Sequence, residues 1–477
     1  MANRIQAHLQ RGSVTRAARA LTSAPLADTS LPAMRAKLAE KHPRAAPPAE
    51  LQSDVPALHI DGATLQGVLD SWRGQTGKAG GMSGLTMEHV YQAAAADAET
   101  FSAILGFVNL LLSGKMPRHV ALLDSGLVGI KKGADDVRPI ALGEVWGRLV
   151  SCCALRAVGA RVGAQLAPLQ LGVGVSGGVD AASHAVRAAL LADPEAIAVS
   201  TDVKNAFNSV GRDAVMREVK KRAPSLLPYV TWAYGAATRL HVDGARAGQE
   251  PLMSESGVKQ GDPLSMLLFA LALQPVLEQT QQSSAGVAVI AIADDVTLVG
   301  RVEALRLALA VMRGALPADS RHLQLQPPKC NVTGGKEDDA AALAVEHSFT
   351  HASEGVVIYG SPIGSDAFTS AHVEARASGI VSEVNKLMSL PLPVQSKWRL
   401  IHSSLSRRMA HLQRTVPWER LSAGVRRVEQ ALQEAACALM RLPPAGREVE
   451  QLTLPLRHGG FGLHTTSSVE SDAALLS

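Results

Sequence analysis

Three Asp-Asp doublets occur in this chain, and one of them sits where paired charge is hardest to keep. Asp294-Asp295 is preceded by Val287-Ala288-Val289-Ile290-Ala291-Ile292-Ala293 and followed by Val296-Thr297-Leu298-Val299. Apolar runs on both sides of a short polar centre predict a buried β-hairpin with the doublet at its tip. Two adjacent anions in such a place are costly unless something cancels their charge. A hard divalent cation with oxygen ligands cancels it directly, and a tip that merely reaches water is the plainer alternative. Asp135-Asp136 and Asp338-Asp339 serve as controls, because they lie among Lys, Gly, Glu and Ala and read as solvated turns.

A second carboxylate joins them from far upstream. Asp202 ends the apolar run Ala196-Ile197-Ala198-Val199-Ser200-Thr201, which reads as a strand, and the chain then turns toward a helix. Taken alone, a strand-end aspartate is a helix cap. Together with a second carboxylate strand it suits a two-metal site, where ions ~4 Å apart act on the attacking and leaving oxygens.

The bulk numbers narrow the setting. A chain of 477 residues with 47% hydrophobic content holds several lobes rather than one small core. With only 3% aromatics, that interior rests on Leu, Val, Ala and Ile. Net charge is a mild +4, but residues 376–447 carry 12 Lys/Arg against 4 Glu and no Asp, a local field suited to a polyanion. The four cysteines form no C-x-x-C pair, so neither a zinc site nor a disulfide framework is expected. No run approaches 18 uninterrupted apolar residues, so no membrane span is expected. The start lacks the apolar core of a secretory signal.

Residues 1–57 are basic and Pro/Ala-rich and read as a mobile arm. Helices are predicted over 87–96, 101–112, 145–158, 180–191 and 209–221. A strand pair is predicted at 125–133 and 137–142, and a strand followed by a helix over 258–279. A G-x-G-x-x-G match at Gly172–Gly177 lacks the preceding strand that a dinucleotide site needs, because Pro168 interrupts it. A turn contacting a template backbone is the expectation there.

The order of these segments carries a resemblance. Thr201-Asp202-Val203-Lys204-Asn205-Ala206-Phe207-Asn208 resembles the first palm motif of reverse transcriptases of non-LTR retrotransposons. Gly257-Val258-Lys259-Gln260-Gly261-Asp262-Pro263-Leu264-Ser265 resembles the second, and Ile292-Ala293-Asp294-Asp295 the third. Leu325-Gln326-Pro327-Pro328-Lys329-Cys330, Tyr359-Gly360-Ser361-Pro362-Ile363-Gly364 and, upstream, Val137-Arg138-Pro139-Ile140-Ala141-Leu142 follow the same family's order. The segment Leu454 to Leu463 is similar to a stretch beyond the thumb in those elements.

The resemblance implies a mixed α+β, right-hand polymerase: a flexible basic arm (1–57), fingers (58–200), an antiparallel palm (201–370), a helical basic thumb (371–447) and the start of a truncated C-terminal region (448–477). It implies RNA-directed DNA synthesis, primed from a nicked chromosomal target, with two Mg2+ ions and Mn2+ as a substitute. Asp202, Asp294 and Asp295 would be catalytic and bind metal, with the Val203 carbonyl as a further ligand and Asp295 as the weaker partner. Lys131 or Lys132, Arg138, Phe207, Gln260, Gly261 and Lys329 would bind nucleotide, and Tyr359 and Gly360 would form the primer grip. A guanidinium grips phosphate through a rigid fork and an ammonium acts as a point charge, but read alone Arg138 is a surface arginine, Lys329 a solvated lysine and Phe207 a core ring. At its motif position Phe207 would crowd a ribose 2′-OH and favour deoxynucleotides. RNA template, DNA primer or target and dNTPs are the expected partners, with no membrane, in nucleus or cytoplasm. Two departures stand out: Ile292 replaces a usual aromatic, and Met266 replaces a common proline. They motivate an alternative, a decayed or domesticated copy that binds nucleic acid without polymerising. A maturase-like intron protein, or a polymerase that takes ribonucleotides, is a further one.

Overall fold

The computed structural model describes residues 1–22, 26–52, 54–74, 79–132, 136–243, 249–443 and 446–463. Asp135, with the rest of 133–135, lies outside them, as do 75–78 and residues 464–477 of the expected C-terminal region. The chain divides into two compact units: Ala24–His351, and the described residues of Met1–Ser23 with Ala352–Ser477.

In the first unit, the expected strand pair forms. β1 (Ser125–Lys132) and β2 (Asp136–Gly143) run antiparallel with Lys132 opposite Asp136 and Ser125 opposite Gly143. With β4 (Thr238–Val242) and β5 (Leu252–Ser254) they make a sheet of order β2-β1-β4-β5. A second sheet has order β6-β7-β3-β8-β9, from β3 (Ile197–Thr201), β6 (Ala288–Ile292), β7 (Asp295–Gly300), β8 (Asn331–Gly334) and β9 (Thr350–His351). Its central strand β3 carries Ile, Val and Thr, which fit a pleated surface, and Ile197, Ala198 and Val199 are fully buried. Buried on both sides, β3 reads as a continuous apolar run rather than an alternating one.

Helix Ser265–Ser283 supplies much of the core, with Leu267, Phe269, Leu271 and Leu273 at zero exposure. Each such side chain contributes roughly 1.5–3 kcal/mol by leaving water. The expected strand before it does not form: residues 258–264 follow a turned path that presents Gln260 and Gly261 to β2. Helix Val145–Leu166 is long and apolar enough to cross a bilayer by length and composition. Its Leu149, Val150, Cys153 and Val162 are fully buried in this core, which accounts for the apolar length.

In the second unit, helix Asp366–Ser389 starts at a Ser365 cap whose side chain accepts from the Phe368 N–H. It buries Val373, Ala377, Ile380, Val384 and Leu387 at three- and four-residue steps, one helical stripe. Helix Trp418–Met440 buries Leu421, Val425, Val428 and Leu432 in the same cluster. A hairpin of β10 (Gly355–Ile358) and β11 (Ser361–Gly364) precedes them.

The mobile arm expected over 1–57 is corrected here. Helices Ala2–Gln10 and Val14–Thr22 bury Ile5, Leu9, Ala17 and Leu21 in the core of this second unit. Lys386 Nζ donates to the Leu21 carbonyl at 3.0 Å. Residues 26–42 are also held, but within the first unit. The Ala27 N–H donates to Gly129 O, Pro32–Glu40 is helical, and Lys41 pairs with Asp136 at 2.9 Å. A basic, alanine-rich composition hid apolar stripes that find partners only in the folded chain.

Candidate active site

β6 and β7 join through a two-residue turn, Ala293-Asp294, with Ile292 opposite Asp295. Asp294 therefore sits at the turn and Asp295 opens β7. Next to β7 runs β3, with Thr201 opposite Val296 and the Thr201 hydroxyl donating to Val296 O at 2.9 Å. One step beyond that pair, the register sets Asp202 across from Asp295. Asp202 and Asp295, 93 residues apart in sequence, thus meet at one end of one sheet.

Their electrostatics show that they meet. Burial raises the Asp294 carboxyl above its ordinary range, and the Asp202 charge raises it further, against relief from its own backbone N–H, Arg138 and Lys132. Asp295 is pushed up to about 6, by desolvation first and then by Asp294 and Asp202. The residue still reaches water at the rim of the site, so a proton or a cation has access to it. Among the described residues none of the three forms an ion pair, and no set of three His, Cys, Asp or Glu makes a ready metal cage. Such a site fits a hard divalent cation that takes one or two carboxylates and completes its shell with water and substrate phosphate.

Asp202 is held from behind by the 325–330 segment. Val203 bridges Leu325, the Gln326 N–H donates to Asp202 O at 2.8 Å, and the buried Cys330 sulfur lies 3.4 Å from the Asp202 nitrogen. Burial pushes the Cys330 thiol up, so it stays protonated. Lys329 is exposed on this segment, with Nζ donating to Gln326 Oε1.

The two candidate lysines separate. Arg138 lies opposite Ile130 on β1, so Arg138, Ile130 and Lys132 share one sheet face, while Lys131 takes the other. Lys132 and Arg138 act on the aspartates, whereas Lys131 acts on Asp28, whose carboxyl Ser30 holds low first. The nucleotide candidates on the 257–265 segment meet the same sheet: the Ala141 N–H donates to Gln260 O at 2.7 Å. Gly261, at φ 127°, leaves no room for a Cβ, which would lie 2.2 Å from Ala141 O. Phe207 is half-buried and stacks on Phe269 with centroids 4.8 Å apart, so one face is packed core. Tyr359 and Gly360 form the β10–β11 turn in the second unit, both at positive φ, with the Tyr359 carbonyl 3.0 Å from His411 Nε2.

Sequence reasoning missed three buried polar side chains. Lys259 Nζ donates to Leu123 O at 2.5 Å and to Ser125 Oγ at 3.3 Å, and burial pushes its ammonium down to about 8. Arg212 and Gln170 are the other two. Each bonds to a backbone distant in sequence, a signal that a single sequence does not carry.

The reverse transcriptase (RNA-dependent DNA polymerase) family matches residues 130–347, the stretch that holds these aspartates and their neighbours. This stretch is a reverse transcriptase domain, and the chain is a relative of non-LTR retrotransposon proteins. It is 24% identical over 283 residues to the Pol polyprotein from the type-1 retrotransposable element R2 of Nasonia vitripennis, covering 55% of this chain and 26% of that one. It is 24% identical over 407 residues to the retrotransposable element SLACS 132 kDa protein of Trypanosoma brucei gambiense, covering 82% of this chain and 33% of that one. The chain thus spans about a quarter to a third of these relatives. Among solved structures, apo telomerase from Candida tropicalis superposes with a TM-score of 0.39 at 10% identity, covering 67% of this chain and 62% of that one, too loose a likeness to define the fold.

Proposed function

We propose that this chain is an RNA-directed DNA polymerase that extends a DNA primer on an RNA template. The observation that carries the reading is the charge cluster: Asp202 one step past the Thr201–Val296 pair that joins β3 to β7, Asp295 at the start of β7, Asp294 at the turn between β6 and β7, and no ion pair among them within the described residues. Reverse transcriptases use divalent ions as a family, and Mg2+, with Mn2+ as a substitute, is the pair of ions we assign here. Asp202 and Asp294 would hold them, aided by the Val203 carbonyl and more weakly by Asp295. The chemistry they supply when bound is activation of the primer hydroxyl and stabilisation of the leaving oxygen.

The chain's own residues do the rest. Lys132 and Arg138, on one face of the β1–β2 pair, grip the triphosphate, the guanidinium through its fork and the ammonium as a point charge. Gln260 and Gly261 line the nucleotide pocket, where the absence of a Cβ lets backbone come close. Phe207, braced from behind by Phe269, crowds a 2′-OH and selects dNTPs. Lys329 donates a proton to the departing pyrophosphate. Tyr359 and Gly360 hold the primer end, and the basic helices of the second unit follow the duplex phosphates. Priming at a nicked target is part of the proposal and rests on the motif resemblance to non-LTR retrotransposons alone.

The test is extension of a DNA primer on an RNA template with Mg2+ and with chelator. Extension with dNTPs that chelator abolishes supports the reading. Preference for ribonucleotides would make it another polymerase. Tight duplex binding by folded protein with no extension would make it a nucleic-acid-binding copy, with Ile292 as the residue to blame.

A further inference from the structure

One buried side chain next to the aspartates is used by nothing above. Gln170 has zero exposure, and its amide is spent on the turn that carries Asp294. Oε1 accepts from the Ala293 N–H at 2.8 Å and from the Gly172 N–H at 3.0 Å, while Nε2 donates to Ala293 O at 3.0 Å. Both backbone groups of Ala293 are therefore tied to one side chain, 123 residues away in sequence. Ala293 needs such a tie, because its φ of 56° is a left-handed conformation that a non-glycine residue adopts reluctantly.

The neighbouring backbone repeats the attachment. Leu171 N–H donates to Ala291 O and Ala291 N–H to Leu169 O, both at 2.8 Å, so 169–171 runs parallel along the outer edge of β6. Gly172 completes the fit, since a Cβ there would lie 2.9 Å from the Ala293 nitrogen. The glycine run that imitates a dinucleotide motif begins against this hairpin.

We propose that Gln170 is a positioning residue: its amide clamps the Ala293-Asp294 turn and so fixes where the Asp294 carboxylate meets a divalent ion. The inference rests on the polymerase reading for what the ion does, but not for the clamp itself. Gln170→Met keeps the side-chain length and removes all three bonds. Gly172→Ala keeps the amide group but sets a Cβ 2.9 Å from both the Ala293 nitrogen and Gln170 Oε1, so it strains the same clamp without removing it.

Each full-length variant is titrated with Mn2+, free ion being read by electron paramagnetic resonance, and its kcat and dNTP KM are measured on an RNA template. Loss of support behind a metal ligand is worth about 10–100-fold in metal affinity or activity. Gln170→Met is expected to weaken Mn2+ binding and lower kcat in that range, with dNTP KM within threefold of wild type. Gly172→Ala shifts both the same way by less, and should Gln170→Met fail to fold, it decides alone. Folded variants with unchanged Mn2+ affinity overturn the proposal, including the case where kcat falls only as far as duplex affinity and melting temperature do. Should wild type bind Mn2+ yet extend nothing, the polymerase reading falls, and the titration still judges the clamp.

Discussion

Two charge centres in the Ala24–His351 unit are treated in opposite ways. Arg212 is 5% exposed and forms no ion pair among the described residues; its guanidinium donates to the carbonyls of Gly257, Tyr234, Ala236 and Ser254 and to the Ser254 hydroxyl, at 2.9–3.2 Å, over the ring of Tyr234. Its donors are satisfied by neutral acceptors, and nothing from outside is needed. The aspartate cluster is the reverse: three like charges at one sheet end, with the proton affinities of Asp294 and Asp295 raised by burial and by their neighbours' charge. A saturated charge ties elements together, as Arg212 ties the 212–222 helix to the loops at 234–236 and 254–257. A charge left uncancelled marks a place where a ligand completes the structure.

The comparison breaks first at the cluster. Asp294→Ala is expected to lower the extension rate by on the order of 10³-fold, about 4 kcal/mol of transition-state stabilisation, with duplex affinity retained. A loss under tenfold would mean that the carboxylate does not touch the reacting centre. Arg212→Met should act on stability instead, by about 3 kcal/mol, because several buried carbonyls lose their donor at once. Denaturant unfolding checks it, and a variant as stable as wild type would show that this network is not structural.

Smaller effects sharpen the picture. Lys132→Ala should raise dNTP KM by about tenfold and Lys131→Ala by less than twofold, on the order of 1.4 kcal/mol for one lost phosphate contact. Equal effects would sink the assignment by sheet face. The smallest is a pH effect. Asp295 binds its proton more tightly folded, at about 6, than its ordinary 3.8, so the metal-free fold holds more protons than the unfolded chain between those values. Metal-free stability should therefore fall as pH rises from about 4 to 6, and Asp295→Asn should flatten that slope in melts across the window. Metal binding should weaken over the same window as pH falls, since protons compete for the carboxylates.

What the sequence disclosed follows from where the information lies. The Asp294-Asp295 hairpin, the β1–β2 pair and Asp202 at the end of β3 were legible because each is written in a local pattern of apolar residues and turns, while the mixed α+β class came with the family resemblance. That these aspartates belong to one site came from the order of motifs, not from any single one. The choice between Lys131 and Lys132 needed a register, which the pairing of Arg138 with Ile130 across β1 and β2 provides. Gln170 was invisible, because its meaning is a contact across 123 residues, in a stretch that composition made look like a loop. The N-terminal helices were lost for a related reason. Ile5, Leu9, Ala17 and Leu21 mark weak apolar stripes whose burial depends on helices near the other end of the chain.

The most direct test of the uncancelled charge is thermal melting of the full chain as Mg2+ is added, wild type beside Asp294→Asn. A ligand that binds only the folded state stabilises it by about 2.7 kcal/mol at a hundred times its Kd. Wild type should melt higher with Mg2+, saturably, while Asp294→Asn melts above wild type without metal and answers weakly to it. An Asp294→Asn protein that melts below metal-free wild type, or a wild type indifferent to Mg2+, would contradict a cluster built to receive a divalent ion.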